Sequence, residues 1–431
     1  MVAKIAVGKK RRAEEEEAAA MPAEEDSDGG EDSDGDDGGG LAGFAGNGAA
    51  EPAEDKATAR DALWADPTHD EMQGLRETEL LFKSSLMRLQ IEELKGEVSV
   101  NYTKLAPLEE YLHALRATLL AIPASRVPAS DLAGPEPAAI EGLDFIAPTG
   151  VHVVGSFLLR TLARPALSVD IAVEMPAECL HHKDFLNHKY LQKRQLFLSR
   201  IAEALSAAGI GEVSFACFRG DPRKPILVIA PAGLKGLSKK FAVNILPCLP
   251  PDLIPAARLR PTRNNVRVVG ISDIAEQPPT PSYNAALAED SGMARHAALL
   301  HAAFSACPPL TEAAVLLKVW LRQRGLAGAP DGAGGFFLSM LLALLYQDRA
   351  VNPKMSSYQV LRAAWVFLSD PTRLASGAAL RPLPTAKLTT GEALAEFRAG
   401  GAAAILLDDS LGVNVAARLS KGGVAELARE A

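Results

Sequence analysis

The chain has 431 residues, a formal net charge of −8 and 48% hydrophobic residues. This length is sufficient for two or three domains, each with a hydrophobic core of its own. We expect neither a signal peptide nor a membrane span, because no run approaches about 18 consecutive apolar residues. The composition therefore predicts a soluble chain with no membrane partner. The four cysteines show no CxxC spacing, which excludes the usual disulfide or zinc framework and predicts reduced thiols.

The first 60 residues carry most of the acidity, with 16 Asp and Glu against 7 Lys and Arg. Residues 1–61 hold too little apolar surface to offset their ordering entropy, so we predict a disordered basic and acidic tail. The KKRR run at 9–12 is a candidate nuclear-import signal, and Ser33 precedes acids that an acid-directed kinase could recognise. Such a tail is typical of nuclear proteins that work among polycations and RNA.

An α/β domain is predicted over residues 62–284, where apolar residues recur first at helical and then at strand spacing. Two bracing helices open it, a long helix follows its central stretch, and three strands complete its sheet. The predicted helices lie at 75–94, 108–122 and 183–209, and the later strands at 213–218, 226–230 and 240–246.

The central stretch of this domain, VHVVGSFLLRTLARPALSVDIAVEM, occupies residues 151–175 and predicts a strand, a Gly-Ser turn, a short helix and a second strand. Gly155 lets the backbone approach a ligand, and Ser156 can offer its N–H and hydroxyl to a phosphate. The second strand alternates, with Asp170 and Ala172 on one face. This arrangement is typical of polymerase-β-type nucleotidyltransferases, whose strand carries Asp-x-Asp.

Two positions where those enzymes carry metal-binding carboxylates differ here. Ala172 replaces the second aspartate and supplies no oxygen, while Asn244 on a later strand offers only a neutral amide. Glu174 shares the face of Asp170, but about 13 Å of strand separates their Cα atoms. We therefore predict a degenerate site that holds no metal, needs no cofactor and has lost its chemistry. The alternative is an active terminal RNA nucleotidyltransferase that uses Asp170, Glu174 and Asn244 with magnesium.

Two basic segments are candidates for contact with RNA phosphates, since positioned cations are all that such contacts require. One is a face of the long helix and the other is the sequence RLRPTRNNVR, which packs four arginines into ten residues. A solvated helix face and interdomain salt bridges are the plainer alternatives. The candidate residues are Lys189, Lys193 and Arg194 on the helix, and Arg258, Arg260, Arg263 and Arg267 in the second segment.

A helical domain is predicted over residues 285–431, beginning with a helix that ends in KVWLRQRGL. A glycine loop and the apolar helix FFLSMLLALLYQ follow, an order that resembles the helical domain of poly(A) polymerases and oligoadenylate synthetases. Residues 404–419 predict a C-terminal β-hairpin. The fold class is therefore α+β, a degenerate nucleotidyltransferase domain followed by a poly(A)-polymerase-like helical domain.

Several longer stretches together resemble the nucleolar RNA-associated protein family, the nucleolar protein 6 family. They are VVGSFLLRTLARPALSVDIAVEMP, KDFLNHKYLQKRQLFL, RPTRNNVR, TPSYNAALAED, LLKVWLRQRGL, GGFFLSMLLALL and LLDDSLGVNVAARLS, spread over residues 70–420. Each stretch alone is weak, whereas the combination is specific.

The resemblance implies a catalytically inert module in the nucleus and nucleolus, acting as a scaffold of the small-subunit processome in pre-rRNA processing toward 18S rRNA. It also implies processome partners that include an RNA-binding protein and casein kinase 2, and a link to tRNA export. Full members carry two such modules and exceed twice this length, which implies a fragment or a shortened product. A third hypothesis is a scaffold that contacts only proteins and does not bind RNA.

Overall fold

The computed structural model describes residues 72, 76, 85–132, 139–165, 167–232, 234, 241–268, 270–271, 273, 277–327 and 331–431. Residues 68–431 form one structural unit. The predicted tail at 1–61 and most of the predicted helix at 75–94 lie outside the described residues.

Nine strands and eleven helices are found in the described part of the chain. The strands are β1 Ser125–Pro128, β2 Gly142–Phe145, β3 Gly150–Val154, β4 Leu167–Glu174, β5 Gly211–Phe218, β6 Asp221–Pro231, β7 Phe241–Cys248, β8 Ala378–Ala379 and β9 Leu406–Leu407. The helices are α1 Ser85–Val98, α2 Ala106–Leu120, α3 Gly155–Leu158, α4 Lys189–Ala207, α5 Pro281–Ala306, α6 Pro309–Gln323, α7 Gly335–Gln347, α8 Ser357–Leu368, α9 Pro371–Ser376, α10 Thr390–Ala399 and α11 Lys421–Glu430.

A five-stranded mixed sheet, in the order β3-β4-β7-β6-β5, forms the centre of the first half. Only the β4–β7 pair is parallel, and its register places Asp170 beside Asn244. The predicted turn between β3 and β4 and the three later strands all form, so the predicted sheet is confirmed.

Both faces of the sheet are covered, which explains why four of the eight residues of β4 are buried and the other four are half-buried. Val169 and Ile171 face the core that includes Leu115 of α2 and Leu196 of α4. These leucines recur at helical spacing along their helices, so each helix buries one apolar stripe. On the opposite face, Ala172 packs in a smaller cluster that Met293 and Ala297 of α5 border.

Helix α5 belongs to both halves of the unit. Tyr283 and Leu287 lie in the core of the sheet, whereas Leu300 and Phe304 lie in the core formed by the later helices. The predicted boundary between residues 284 and 285 therefore falls within the first turn of a continuous helix of 26 residues.

An ion cluster with fully buried charges ties α5 to the sheet domain. Asp290 of α5 accepts hydrogen bonds from Tyr190 at 2.8 Å and Arg194 at 3.1 Å, and it forms an ion pair with Lys224 at 2.8 Å. Lys224 also pairs with Glu289 at 2.8 Å, so two acids face the two buried cations and no isolated charge is left in the core.

The β-hairpin predicted over 404–419 is wrong. The two residues of β9 pair in parallel with β8, and only an isolated bridge joins Leu407 to Asn414. Two backbone bonds remain, from Asp408 to Val413 at 3.0 Å and from Val415 to Leu406 at 2.8 Å. Side chains bind other backbone groups here: Asp408 accepts from the N–H of Val413 at 3.0 Å, and Asn414 accepts from that of Leu406 at 2.9 Å. Polar side chains that bond to nearby backbone compete with strand pairing in this way.

Within the described residues no single helix is both long and apolar enough to cross a membrane. Helices α5 and α6 meet that test only as a pair, and they bend by 113° where they join. Three of the four free cysteines are buried, and Cys217 on the edge strand β5 is exposed.

Candidate functional site

The turn after β3 brings backbone against the carboxylate of β4. Gly155 has φ +68°, and a Cβ added there would lie 2.8 Å from Asp170 Oδ2. A side chain would therefore meet both an unfavourable backbone conformation and a polar atom at too short a distance. The sequence predicts that Gly155 lets a ligand approach the backbone. In the structure, the group that lies against this glycine is the carboxylate of Asp170.

Asp170 and Asn244 face each other across the parallel strand pair. The Asn244 amide donates from Nδ2 to Asp170 Oδ1 at 2.7 Å, so the amide nitrogen, not the oxygen, is turned toward the carboxylate. Burial raises the pKa of Asp170, and the Asn244 hydrogen bond and the charges of Lys318 and Arg219 offset only part of that rise.

The neighbouring positions supply no second carboxylate. Ala172 is fully buried in an apolar cluster with Val154 and Leu246. Glu174 is the last residue of β4, where its Oε1 accepts from Thr149 at 2.6 Å. Glu174 therefore does not replace the missing ligand.

The magnesium ions that this fold implies do not fit these residues. Two-metal phosphoryl transfer uses carboxylates that hold both ions, and here one carboxylate stands alone beside an amide donor. Among the described residues, no group of three or more His, Cys, Asp and Glu side chains is arranged to hold a metal ion. The geometry therefore supports no metal-dependent step.

A cleft of about 410 Å³ opens above Asp170, between the sheet and the later helices. Its charged lining consists of one acid, Asp170, and three cations, Arg219, Lys318 and Arg322. Its apolar lining includes Phe218 and Phe336, and the guanidinium of Arg219 lies 5.0 and 5.3 Å from the centres of these rings.

Lys318 is held at the wall of this cleft by the loop that follows α3. Its Nζ donates to the Thr161 carbonyl at 2.8 Å and to the Thr161 hydroxyl at 2.9 Å. Burial lowers the pKa of Lys318 to about 8, with Arg322 adding to the decrease and Asp170 opposing it. Gly335 leaves room for the side chain, since a Cβ there would lie 2.8 Å from Lys318 Cε.

Two of the three RNA-binding candidates on helix α4 are buried. Lys193 pairs with Asp184 at 2.7 Å and is 4% exposed, while Arg194 is fully buried beside Asp290. Both side chains point into the fold because their helix face packs on the sheet, so the prediction that they contact RNA is wrong. Lys189 is half-buried at the start of α4 and stays a prediction.

Asparagine side chains hold the backbone of the arginine-rich segment, residues 258–267. Asn265 Nδ2 donates to the Arg258 carbonyl at 2.8 Å, and Asn284 Nδ2 donates to the carbonyls of Arg260 and Arg263 at 2.8 and 2.9 Å. Both asparagines are buried, and they also bond to each other. The asparagines of RPTRNNVR and TPSYN therefore fix this segment.

The arginine side chains then divide into two groups. Arg260 pairs with Glu396 at 3.1 Å and is half-buried, which matches the salt-bridge alternative. Arg258, Arg263 and Arg267 are exposed, and none of them forms an ion pair within the described part of the chain.

A second cleft, of about 610 Å³, brings Arg258 and Arg267 together with Lys183 and His182. No Asp or Glu lines it among the described residues, and we call it the basic cleft. Arg263 lies outside its lining. The sequence did not single out Lys183, because it stands 75 positions before Arg258 and only the fold joins them.

Sequence reasoning also missed the three cations of the first cleft. Lys318 and Arg322 share one helix face at i and i+4, but the helical pattern alone does not show that this face lines a cleft. Arg219 stands at φ +50° in the tight connection between β5 and β6, and nothing in its neighbours in sequence marks it.

Comparison with known proteins yields two adjoining family models. One, described as Nrap protein domain 1, matches residues 117–306, and the other, described as Nrap protein PAP/OAS-like domain, matches residues 309–431. The second description, together with the mixed sheet followed by helices, confirms the predicted fold class.

The similar relatives are far longer than this chain. Nucleolar protein 6 of Homo sapiens is 38% identical over 343 residues, and that of Mus musculus is 37% identical over 357 residues, covering 75% and 79% of this chain. The chain spans 30% of the length of each.

Among solved structures, the CdnC:HORMA-deltaN complex of E. coli MS115-1 gives 15% identity and a TM-score of 0.48, over 79% of this chain and 86% of that one. Cid1 in complex with its short product ApU gives 13% identity and a TM-score of 0.46, over 81% and 92%.

Proposed function

The chain belongs to the nucleolar RNA-associated protein family, and we propose that it is a non-catalytic, RNA-associated scaffold in ribosome biogenesis. Its relatives are named Nucleolar protein 6 at 35–38% identity, which supports the nuclear and nucleolar localisation predicted from the sequence. The proposal extends to the small-subunit processome, to pre-rRNA processing toward 18S rRNA, and to a link with tRNA export.

The observation that carries the RNA part of this proposal is the basic cleft. The buried Asn265 holds the Arg258 carbonyl, and Asn187 accepts from the Arg267 backbone N–H at 2.9 Å. Lys183 adds a third cation to the same lining. Guanidinium groups held on a fixed backbone lose less freedom when they bind phosphate oxygens. Arg263 on the same segment, and Lys189 at the start of α4, extend the proposed RNA-binding surface.

The absence of catalysis is supported by the chemistry of the residues around Asp170. An alanine and an amide stand where a working site needs oxygen ligands, and the amide is oriented as a donor. The partners that we propose are pre-rRNA and other processome proteins, including an RNA-binding partner and casein kinase 2.

Filter binding of a single-stranded pre-rRNA segment across a salt series tests the RNA contact. We expect Arg258→Glu/Arg267→Glu to weaken binding and to reduce the salt slope by about 0.7 for each phosphate that the variant no longer binds. Arg116→Glu/Arg429→Glu is the matched control, because both residues are exposed, lie outside the basic cleft and change the charge equally. Equal effects of the two double variants would instead favour a scaffold with protein contacts alone.

A further inference from the structure

The cleft above Asp170 carries an excess of positive charge without any metal ion. Arg219, Lys318 and Arg322 line it against Asp170 alone, a formal balance of +2 when Asp170 is ionised. In a two-metal site the bound ions supply positive charge that stabilises the reacting phosphate oxygens. Here the side chains themselves provide it.

Glu289 offsets the charge of Arg219 only in part. It pairs with Arg219 at 3.0 Å, but it is shared with Lys224 at 2.8 Å and Arg418 at 3.6 Å. One carboxylate therefore faces three cations, and it lines the adjacent cavity rather than this cleft.

Donor groups remain for a ligand on each cation. Arg322 bonds through Nη1 to the carbonyls of Ala163 and Arg164 at 3.1 and 2.7 Å, and Arg219 pairs with Glu289 through Nη1 as well. A guanidinium has five N–H donors and an ammonium has three, so these contacts leave other donors in both arginines, and the two bonds to Thr161 leave one in Lys318.

We propose that this cleft binds the polyphosphate group of a small ligand without a divalent metal, with Arg219, Lys318 and Arg322 replacing the metal charge. Phosphate oxygens are the acceptors that arginine forks and a lysine ammonium match best. The volume of about 410 Å³ suits a ligand of nucleotide size, and Phe218, Phe336 and Leu246 give it an apolar wall. The source of the polyphosphate is a free nucleotide or inorganic polyphosphate.

Calorimetric titration of the full chain with ATP and with inorganic tripolyphosphate, both in EDTA, tests the proposal. We expect both to bind, and we expect excess Mg²⁺ to leave binding unchanged or to weaken it, because magnesium masks the phosphate charge. Tighter binding of ATP would assign the ligand as a nucleotide, and equal binding would assign the phosphates alone. Absence of binding, or binding only with Mg²⁺ or Mn²⁺, would overturn the proposal.

Lys318→Met is the first variant, and we expect it to weaken tripolyphosphate binding roughly tenfold or more. Arg324→Met is the control, since Arg324 follows the same helix but is 56% exposed and pairs with Glu430. A thermal melt of each protein without ligand checks folding. If Lys318→Met does not fold, Arg219→Gln takes its place with the same expectation. Unchanged affinity in a folded variant would contradict the assignment.

Discussion

At the scale of single residues, the account depends on what surrounds Asp170. The sequence predicted its neighbours Ala172 and Asn244, and the strand register places Asn244 directly beside it. The orientation of the amide and the three cations of the cleft were not predictable, because they depend on side chains from distant parts of the chain. The pair Asp170 and Asn244 therefore forms a hydrogen bond where a metal site would need two oxygen ligands.

We predict that Asp170→Asn stabilises the protein at neutral pH. The pKa of Asp170 is raised by burial, so the folded state binds more protons than the unfolded state above the ordinary value of 3.8, and stability falls as pH rises through that interval. The asparagine keeps an acceptor for Asn244 and removes this pH-dependent destabilisation. Urea unfolding between pH 4 and 8 measures it, with the exposed Asp131→Asn as control. A variant that is less stable than wild type at pH 7 would contradict the prediction.

We also predict that tripolyphosphate affinity falls as pH rises above about 8. The pKa of Lys318 is about 8, lowered by burial and by Arg322 and raised by Asp170, so its charge disappears through that range while Arg219 stays charged. Lys318→Arg should remove this pH dependence, because a guanidinium stays protonated. Titrations at pH 7, 8 and 9 compare the two proteins. Parallel pH profiles would show that Lys318 is not the titrating group.

At the scale of elements, the Gly-Ser turn and helix α4 are positioned by different constraints. We predict that Gly155→Ala destabilises the protein by about 1–3 kcal/mol, since alanine is strained at a positive φ and its Cβ would approach Asp170 Oδ2. Gly334→Ala is the control, because nothing lies within 4 Å of a Cβ there. Urea denaturation compares them, and equal destabilisation would contradict the role of the turn.

The buried Arg194 of helix α4 and the exposed Arg267 should contribute differently to the stability of the fold. Arg194→Met should cost about 3–5 kcal/mol, because it leaves part of the Asp290 cluster uncompensated in the core. Arg267→Met should change stability by no more than about 0.5 kcal/mol, since the side chain is exposed. Denaturation midpoints separate the two, and a destabilisation by Arg194→Met no greater than that by Arg267→Met would contradict the assignment.

Two features of these elements could not be predicted from the sequence. The helical period of α4 was predicted, but its basic residues were assigned to a surface, because periodicity cannot show that Lys193 and Arg194 meet Asp184 and Asp290. The hairpin failed for a related reason: Asp408 and Asn414 satisfy the backbone through side-chain geometry that short-range alternation does not contain.

At the scale of the whole molecule, α5 is shared by the core of the sheet and the core of the later helices. The C-terminal half of α5 also contacts the loop that follows β9. His296 of the helix contacts Asp408 at 3.0 Å, and Arg295 pairs with Asp409 at 3.0 Å. The cleft above Asp170 is lined from both halves, so its shape depends on this shared helix. The cleft above Asp170 and the basic cleft are therefore features of one unit.

The most direct test of the central claim, that this fold acts without nucleotide transfer, is incorporation of labelled ATP and UTP into an RNA primer by the full chain with Mg²⁺ or Mn²⁺. An Asp170→Ala variant serves as the control. We predict no product above background from either protein. Product from the wild type that disappears in Asp170→Ala would contradict the account and show that the chain is an enzyme.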